Sequence, residues 1–169
     1  GPWHPIKFPW HIQNVFRYLF DKAEKSVHPE AQISENAVIN GEVIIEKGVK
    51  IFDGAVVNGP AYIGENSVVA TNALVRDSHL GNSCVVGFIT EVARSYLGSD
   101  VWTHSNYIGD SVIGNNVSFG AGSNTGNLRL DEKNVVVANS LDGSDDRIFD
   151  TGSAKFGLIC GDNVRVGIN

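Results

Sequence analysis

The residues best suited to chemistry lie in one short string, His104-Ser-Asn-Tyr107-Ile-Gly-Asp110. The glycine turn Gly120-Ala-Gly122 follows it, and Asn127 comes soon after. Histidine is the natural general base near neutral pH, because its charge changes there. His104 also stands where the surrounding hydrophobic pattern has no need of an imidazole. From the residues alone, His104 is therefore either a general base or a hydrated surface histidine.

A repeat of six residues must position this string. From Val27 onward an aliphatic, β-branched residue recurs at every sixth position, and a small residue or valine follows each of the first eight by four positions. A helix has a period of 3.6 and an ordinary strand a period of two, so neither produces this pattern. Short flat strands with a bend at every sixth residue do, and the repeat predicts that the aliphatic residues point inward. The nine positions are Val27, Ile33, Ile39, Ile45, Ile51, Val57, Ile63, Val69 and Val75.

The repeat continues with slips of single residues and is then interrupted. It passes through Leu80, Val86, Val92 and Leu97 and resumes between residues 108 and 125. Residues 126–155 have no such register; they contain a predicted short strand at 134–138 and an acidic patch at Asp142–Asp146 that indicates a solvated turn. A long insertion in an economical repeat is more often functional than not.

Ahead of the repeat, the sequence predicts one amphipathic helix from about His11 to Lys25. Its apolar residues fall at helical spacing, with polar residues between them. They are Ile12, Val15, Phe16, Leu19 and Phe20.

The other histidines and the cysteines predict neither a metal site nor a nucleophile. A zinc site of three histidines requires residues that converge, and the repeat offers no close pair among His28, His79 and His104. His79 is either solvated or lines a groove between subunits, and His28 is structural. Cys84 occupies a small corner position and Cys160 an inward position, which predicts that both pack in the core.

Composition excludes several classes of function. The 169 residues fit one domain, and a net charge of −6 with a pI near 5.2 argues against a nucleic-acid partner. No apolar run approaches the roughly 18 residues of a membrane span, so we expect no membrane partner. Two cysteines indicate a reducing compartment, and we expect a cytoplasmic protein. The absence of methionine suggests a piece of a longer chain.

The period-six pattern resembles the hexapeptide-repeat family over residues 27–125 and 157–169. The resemblance implies an all-β fold, a left-handed parallel β-helix of hexapeptide repeats with one N-terminal helix and one long inserted loop. In this family three hexapeptides form a triangular coil, and three chains form a homotrimer. Residues 1–26 would link to a missing nucleotidyltransferase domain, and residues 27–169 would be an acyltransferase domain truncated at its C-terminus.

A narrower resemblance concerns function. The string from His104 to Asp110, together with Asn127-Leu-Arg-Leu-Asp-Glu-Lys133, is similar to the acetyltransferase domain of archaeal-type bifunctional sugar-1-phosphate nucleotidyltransferases. Phe8-Pro9-Trp10 looks like the segment that ends their first domain. The resemblance implies N-acetylation of an amino-sugar 1-phosphate, such as glucosamine 1-phosphate, with acetyl-CoA as co-substrate and no metal.

The same resemblance implies a role for each matching residue. His104 would remove a proton from the sugar amine, which then attacks the thioester carbonyl of acetyl-CoA. The backbone of Ala121 would face the acetyl group. The residues matching positions that bind the amino-sugar phosphate are Arg76, Glu91, Tyr107, Asn127 and Lys133.

Two departures from the family pattern support an alternative. Ala93 stands where relatives have a phosphate-binding lysine, and Ser118 stands where they often have an asparagine. The alternative is a structural, oligomerising β-helix domain whose acetyltransferase activity is lost. We also expect poor binding of acetyl-CoA to this chain, because in relatives the cofactor lies along coils beyond the position of Asn169.

Overall fold

The computed structural model describes residues 3, 5–138 and 148–168. In these residues one helix, α1 (His11–Lys22), precedes a long series of short strands. The strands are β1 (Ser26–Val27), β2 (Gln32–Ile33), β3 (Val38–Asn40), β4 (Val43–Ile45), β5 (Lys50–Ile51), β6 (Val56–Ile63), β7 (Val68–Val69), β8 (Leu74–Leu80), β9 (Val85–Val86), β10 (Glu91–Ala93), β11 (Tyr96–Leu97), β12 (Tyr107–Gly109), β13 (Val112–Ile113), β14 (Ser118–Phe119), β15 (Val136–Ala138), β16 (Ile148–Asp150), β17 (Ile159–Cys160) and β18 (Arg165–Val166).

The strands form a three-sided prism in which successive coils pair in parallel. The helix face contains β1, β4, the ends of β6 and β8, β11, β13 and β17. The open face contains β2, β5, β7 and β9, continues through Trp102, and ends with β14 and β18. The site face contains β3, the starts of β6 and β8, then β10 and β12. The predicted left-handed parallel β-helix is confirmed.

From Ile45 onward the predicted aliphatic positions form the core of this prism, whereas Val27, in the first coil, is 48% exposed, contrary to the prediction. Val27 pairs in register with Ile45, and Ile45 pairs with Ile63, so equivalent residues stack from coil to coil. From Ile45 to Val75 all six predicted inward residues are buried, as are Cys84 and Cys160. Burying each aliphatic side chain contributes about 1.5–3 kcal/mol, which makes the repeating column the main stabilising feature of the fold.

The coils shorten along the prism, as the slips in the repeat predicted. Val57 pairs with Val75, a step of 18 residues, but Ile63 pairs with Leu80, a step of 17. The register shifts between Asn58 and Ala61 of β6, so the neighbouring strand β8 needs one residue fewer. Shorter coils change which outward side chains become neighbours, and this change affects the site.

Helix α1 packs on the helix face and ends three residues earlier than predicted. The backbone is extended at Ala23, and the ammonium group of Lys25 donates hydrogen bonds to the carbonyls of Phe20 and Ala23. A lysine that satisfies the last carbonyls is a common way to end a helix. Phe16 contacts the ring of His79 edge-on, with 5.6 Å between ring centroids. No helix in the described ranges is long and apolar enough to cross a membrane.

The insertion forms a hairpin and returns to the prism. The predicted strand at 134–138 is β15, which pairs antiparallel with β16. The coil then closes where Ile113 pairs with Cys160. The N-terminal segment packs against the insertion, because Phe8 contacts Phe149 at 4.9 Å between ring centroids. The acidic patch Asp142–Asp146 lies outside the described residues.

Candidate functional site

Arg76 and Glu91 meet on the site face. Arg76 ends the site-face part of β8, and Glu91 begins the adjacent strand β10. The Nε and Nη2 groups of Arg76 both donate to Glu91 Oε1, at 2.8 and 2.5 Å. Both side chains are partly exposed. The structure therefore brings together one predicted phosphate ligand and one predicted sugar ligand, and it pairs their charges.

Tyr107 and Asn127 also meet, one coil further along. The Tyr107 ring lies over Gly109, where a Cβ atom would stand only 2.5 Å from the tyrosine hydroxyl. Asn127, at the start of the insertion, donates from Nδ2 to that hydroxyl at 3.0 Å. Glu91 is the register neighbour of Tyr107, so four of the predicted site residues are contiguous on this face.

Asp110 joins this group to Arg94, a contact that sequence reasoning missed. Arg94 donates through Nε and Nη2 to the two carboxylate oxygens of Asp110, at 2.6 and 2.7 Å, and Asn127 Nδ2 donates to the same carboxylate. Asp110 is only 5% exposed. Its hydrogen bonds raise the pKa of Arg94 further, so the guanidinium stays charged. The sequence did contain a signal for this residue, because Asp110 ends the string from His104 to Asp110 in which the residues suited to chemistry are concentrated.

His104 lies at the edge where the open face turns into the site face. The residue before it, Thr103, takes the inward position, so His104 is exposed. The backbone of His104 is held at both ends: its N–H donates to Asn106 Oδ1 at 2.7 Å, and its carbonyl accepts from the Thr90 hydroxyl. The imidazole makes no hydrogen bond to any residue that the structure describes. Its nitrogens are therefore available to a ligand.

Asn106 connects the His104 edge to the turn that carries Ala121. This buried amide donates from Nδ2 to the carbonyls of Gly120 and Ser123, each at 2.8 Å. Within the described residues the Ala121 N–H has no hydrogen-bond acceptor. The exposed imidazole of His104 and the unbonded amide of Ala121 thus lie on the same edge of the prism in successive coils. The hydrogen bonds of Asn106 hold these two coils together. Sequence reasoning did not single out Asn106.

Lys133 is the one predicted site residue that the described structure leaves apart from the others. Its backbone N–H donates to Asp131 Oδ1 at 3.3 Å, while Asp131 pairs with Arg129. The Lys133 ammonium contacts none of the other predicted site residues in the described ranges. Lys133 is exposed on the insertion, where it can approach a ligand from outside the prism.

The two departures from the family pattern have clear positions. Ala93 is completely buried beside Arg76, so no cation occupies that place. Arg94, the next residue, turns at a corner with a φ of +47° and points to Asp110. Ser118 lies on the open face between Trp102 and Arg165.

His79 fits neither of the two environments considered from the sequence. Its ring is stacked between Tyr62 and Tyr96, with centroid distances of 4.9 and 4.4 Å, and α1 covers the stack. Burial lowers the pKa of His79, so the ring is neutral near pH 7. His79 is a packing residue beneath the helix. No cluster of metal-ligating side chains occurs among the residues the structure describes.

Comparisons with known proteins give a family and several relatives. The family model of the GMPPB C-terminal domain matches residues 22–118. The bifunctional protein GlmU of Methanocaldococcus jannaschii is 38% identical over 180 residues, which cover 99% of this chain and 40% of that protein. The bifunctional sugar-1-phosphate nucleotidylyltransferase/acetyltransferase of Sulfurisphaera tokodaii is 37% identical over 172 residues, 100% of this chain and 41% of that protein. The chain thus spans about 40% of the length of these curated relatives.

A solved structure is also similar. It is the acetyltransferase domain of PglB from Neisseria gonorrhoeae, at 16% identity and a TM-score of 0.43, with 67% of this chain and 62% of that chain covered.

Proposed function

This chain belongs to the family of the GMPPB C-terminal domain, and we propose that it transfers the acetyl group of acetyl-CoA to the amine of an amino-sugar 1-phosphate. Glucosamine 1-phosphate is the acceptor we test first. The Sulfurisphaera tokodaii relative, whose name includes both sugar-1-phosphate nucleotidylyltransferase and acetyltransferase, supports acetyl transfer in an enzyme of sugar 1-phosphates. It also supports the assignment of residues 27–169 to the acetyltransferase part of a longer enzyme.

The observation that carries the proposal is the position of the His104 imidazole and the Ala121 N–H on successive coils of one edge, neither of them hydrogen-bonded to a described residue. The Gly122 N–H donates to the Ser105 carbonyl at 3.0 Å, so the Ala121 turn lies directly against the residue that follows His104. A base and an amide donor at one edge are what acyl transfer to an amine requires.

The proposed reaction transfers the acetyl group directly from CoA to the amine and uses no covalent enzyme intermediate. The His104 imidazole takes a proton from the ammonium group of the sugar, because a protonated amine has no lone pair with which to attack. The amine nitrogen then forms a bond to the thioester carbonyl carbon, and the Ala121 N–H donates to the oxygen as it becomes negative. The carbon–sulfur bond breaks, the imidazolium gives its proton to the CoA sulfur, and the new amide nitrogen releases its second proton to water, so that one proton is released overall. The products are an N-acetyl sugar phosphate and free CoA.

The acceptor would lie along the site face. Arg76 can exchange its pairing with Glu91 for a bidentate contact to the phosphate, while the Glu91 carboxylate binds sugar hydroxyls. Tyr107 and Asn127 offer a hydroxyl and an amide at the next coil, and Lys133 approaches from the insertion.

We propose that the protein acts as a homotrimer. His104 lies on a convex edge, where one chain supplies only one wall of a cleft. Near this edge Phe88 and Ile89 are each 55% exposed, and Ile89 has a φ of +52°, a costly conformation for a β-branched residue. A neighbouring chain would cover these side chains and supply the second wall. Light scattering should give about three times the chain mass of 18.2 kDa, and Phe88→Ser should shift the protein towards monomer.

A second candidate, a structural and oligomerising domain without acetyl transfer, has one observation in its favour. Both arginines near the acceptor face already have carboxylate partners, Arg76 with Glu91 and Arg94 with Asp110. Together with the buried Ala93, this pairing leaves little free positive charge on the prism for a phosphate.

An assay of thiol release from acetyl-CoA separates the two candidates when it is run on the longer enzyme to which we assign this chain, because the coils expected to hold acetyl-CoA are then included. With glucosamine 1-phosphate as acceptor, we expect His104→Gln to lower kcat by about 10²–10⁴-fold, the usual contribution of a general base. His28→Gln is the matched control, since the ring of His28 lies at the first coil and accepts a hydrogen bond from the Glu30 N–H. Equal background rates for wild type and His104→Gln, across a panel of amino-sugar 1-phosphates, would leave the structural candidate.

A further inference from the structure

A cavity of about 640 Å³ lies where three parts of the chain meet. Its walls come from the first turns of α1 and from the returning arm of the insertion, residues 151–156, and its floor is the Arg94–Asp110 pair. Neither Tyr107 nor Asn127 lines it. The volume is in the range of small-molecule sites and is far larger than a single ion requires.

Three cationic side chains line the cavity, and two of them are ion-paired. Arg17, Arg94 and Lys155 line it, against a single carboxylate, Asp110, among its described lining residues. Arg94 is committed to Asp110, and Arg17 is oriented by its ion pair with Asp77 on the prism. In the described part of the chain the Lys155 ammonium has no partner. Because Arg17 and Arg94 are both ion-paired, Lys155 is the one unpaired lysine or arginine among the described lining residues, and its charge favours an anionic ligand.

The aromatic residues of the cavity lining can pack against the ring of a bound ligand. Trp10 and Phe156 meet edge-on at 5.7 Å between centroids and form an apolar side of the cavity. Arginine and lysine side chains bind phosphate oxygens well, and aromatic side chains pack against the apolar face of a ring. Cations on one side and aromatic rings on the other match a phosphate attached to a sugar-sized group.

We propose that this cavity binds a phosphorylated small molecule of about the size of a hexose phosphate. The cavity adjoins the acetyl-acceptor face, because Asn127 donates to Asp110 on the cavity floor, but other residues form its walls. The proposal holds whether or not the chain transfers acetyl groups. A bound ligand would bridge α1, the insertion and the prism, so it would also hold the insertion against the helix.

Calorimetric titration at low ionic strength tests the proposal, with inorganic phosphate and glucose 6-phosphate as probes. We expect glucose 6-phosphate to bind more tightly, and a hundredfold excess over Kd to raise Tm by about 5–10 °C. Lys155→Gln should weaken both probes by about tenfold or more, because it removes a charged hydrogen-bond donor. Lys133→Gln is the matched control, since Lys133 lies on the same insertion but does not line the cavity.

Each outcome decides for or against binding of a phosphorylated ligand in the cavity. Binding that Lys155→Gln and Arg17→Gln weaken and Lys133→Gln does not would support it, and a selective loss of glucose 6-phosphate in Trp10→Ala would assign the sugar to the aromatic side. Binding lost only in Lys133→Gln would move the ligand to the acceptor face and overturn the proposal. Failure of both probes to bind at 10 mM, roughly the weak limit of a specific small-molecule site, would overturn it as well.

Discussion

Replacing Asn106 with alanine should both destabilise the protein and impair the proposed chemistry. The Asn106 side chain accepts from the His104 N–H at 2.7 Å and donates to the Gly120 and Ser123 carbonyls at 2.8 Å each. A buried hydrogen bond contributes about 1 kcal/mol net, and a polar group left without a partner adds to the loss. We therefore expect Asn106→Ala to cost about 3–4 kcal/mol, which for a chain of this length lowers Tm by about 10 °C.

The activity loss should exceed what instability explains. Without Asn106, the edge that carries His104 is no longer tied to the next coil, and a displacement of about 1 Å at a reacting group can cost about 10²-fold in rate. Thermal unfolding and thiol release, measured on the same preparation well below Tm, separate the two effects.

Asn58→Ala is the matched control. Asn58 accepts a hydrogen bond from Asn40 at 2.9 Å on the exposed surface of the site face, and we expect its loss to cost less than about 1 kcal/mol. If Asn106→Ala and Asn58→Ala unfold at the same temperature, the hydrogen-bond reasoning is wrong. If Asn106→Ala is destabilised yet keeps the wild-type kcat, the positioning role of Asn106 is refuted.

Three further predictions follow from buried or crowded positions. Gly109→Ala should displace the Tyr107 ring, which a Cβ atom would meet at 2.5 Å, and the lost contact with Asn127 should raise KM for the acceptor about tenfold. Protein stability should fall as pH drops below about 6.5, because the unfolded state binds a proton that the buried, neutral His79 resists; His79→Phe should flatten this dependence in urea titrations at several pH values. Cys84, whose pKa burial raises to about 11, should not react with a maleimide at pH 8 until urea unfolds the protein. Fast labelling of the native protein would contradict its placement in the core.

The repeat could be predicted because its cause is local. An aliphatic residue at every sixth position, from Val27 to Val75, has one way to reach a common core, which is a coil of short strands. The single-residue slips were visible in the same pattern, and the register of β6 with β8 confirms the slip at Leu80. The helix was also visible from its spacing, but its end was not, because Lys25 terminates it through a side-chain contact.

The candidate site was only partly readable. The sequence indicated which side chains carry chemistry, and four of them, Arg76, Glu91, Tyr107 and Asn127, lie together on the site face. The roles assigned to them remain predictions. The sequence did not indicate that Arg94 turns away at a corner to bind Asp110, because this direction depends on the backbone conformation of Arg94 itself.

By itself the sequence determined the prism, the inward column and the short set of residues from which a site can be built, because these follow from spacing along the chain. The tertiary structure alone decided which side chains are neighbours. Contacts such as His79 with Tyr62 and Tyr96, or Asn106 with Gly120, join residues of neighbouring coils that are 14 to 17 positions apart in the chain. Their formation depends on the length of each coil and the direction of each corner, and a shift of one residue would give every outward side chain a different partner.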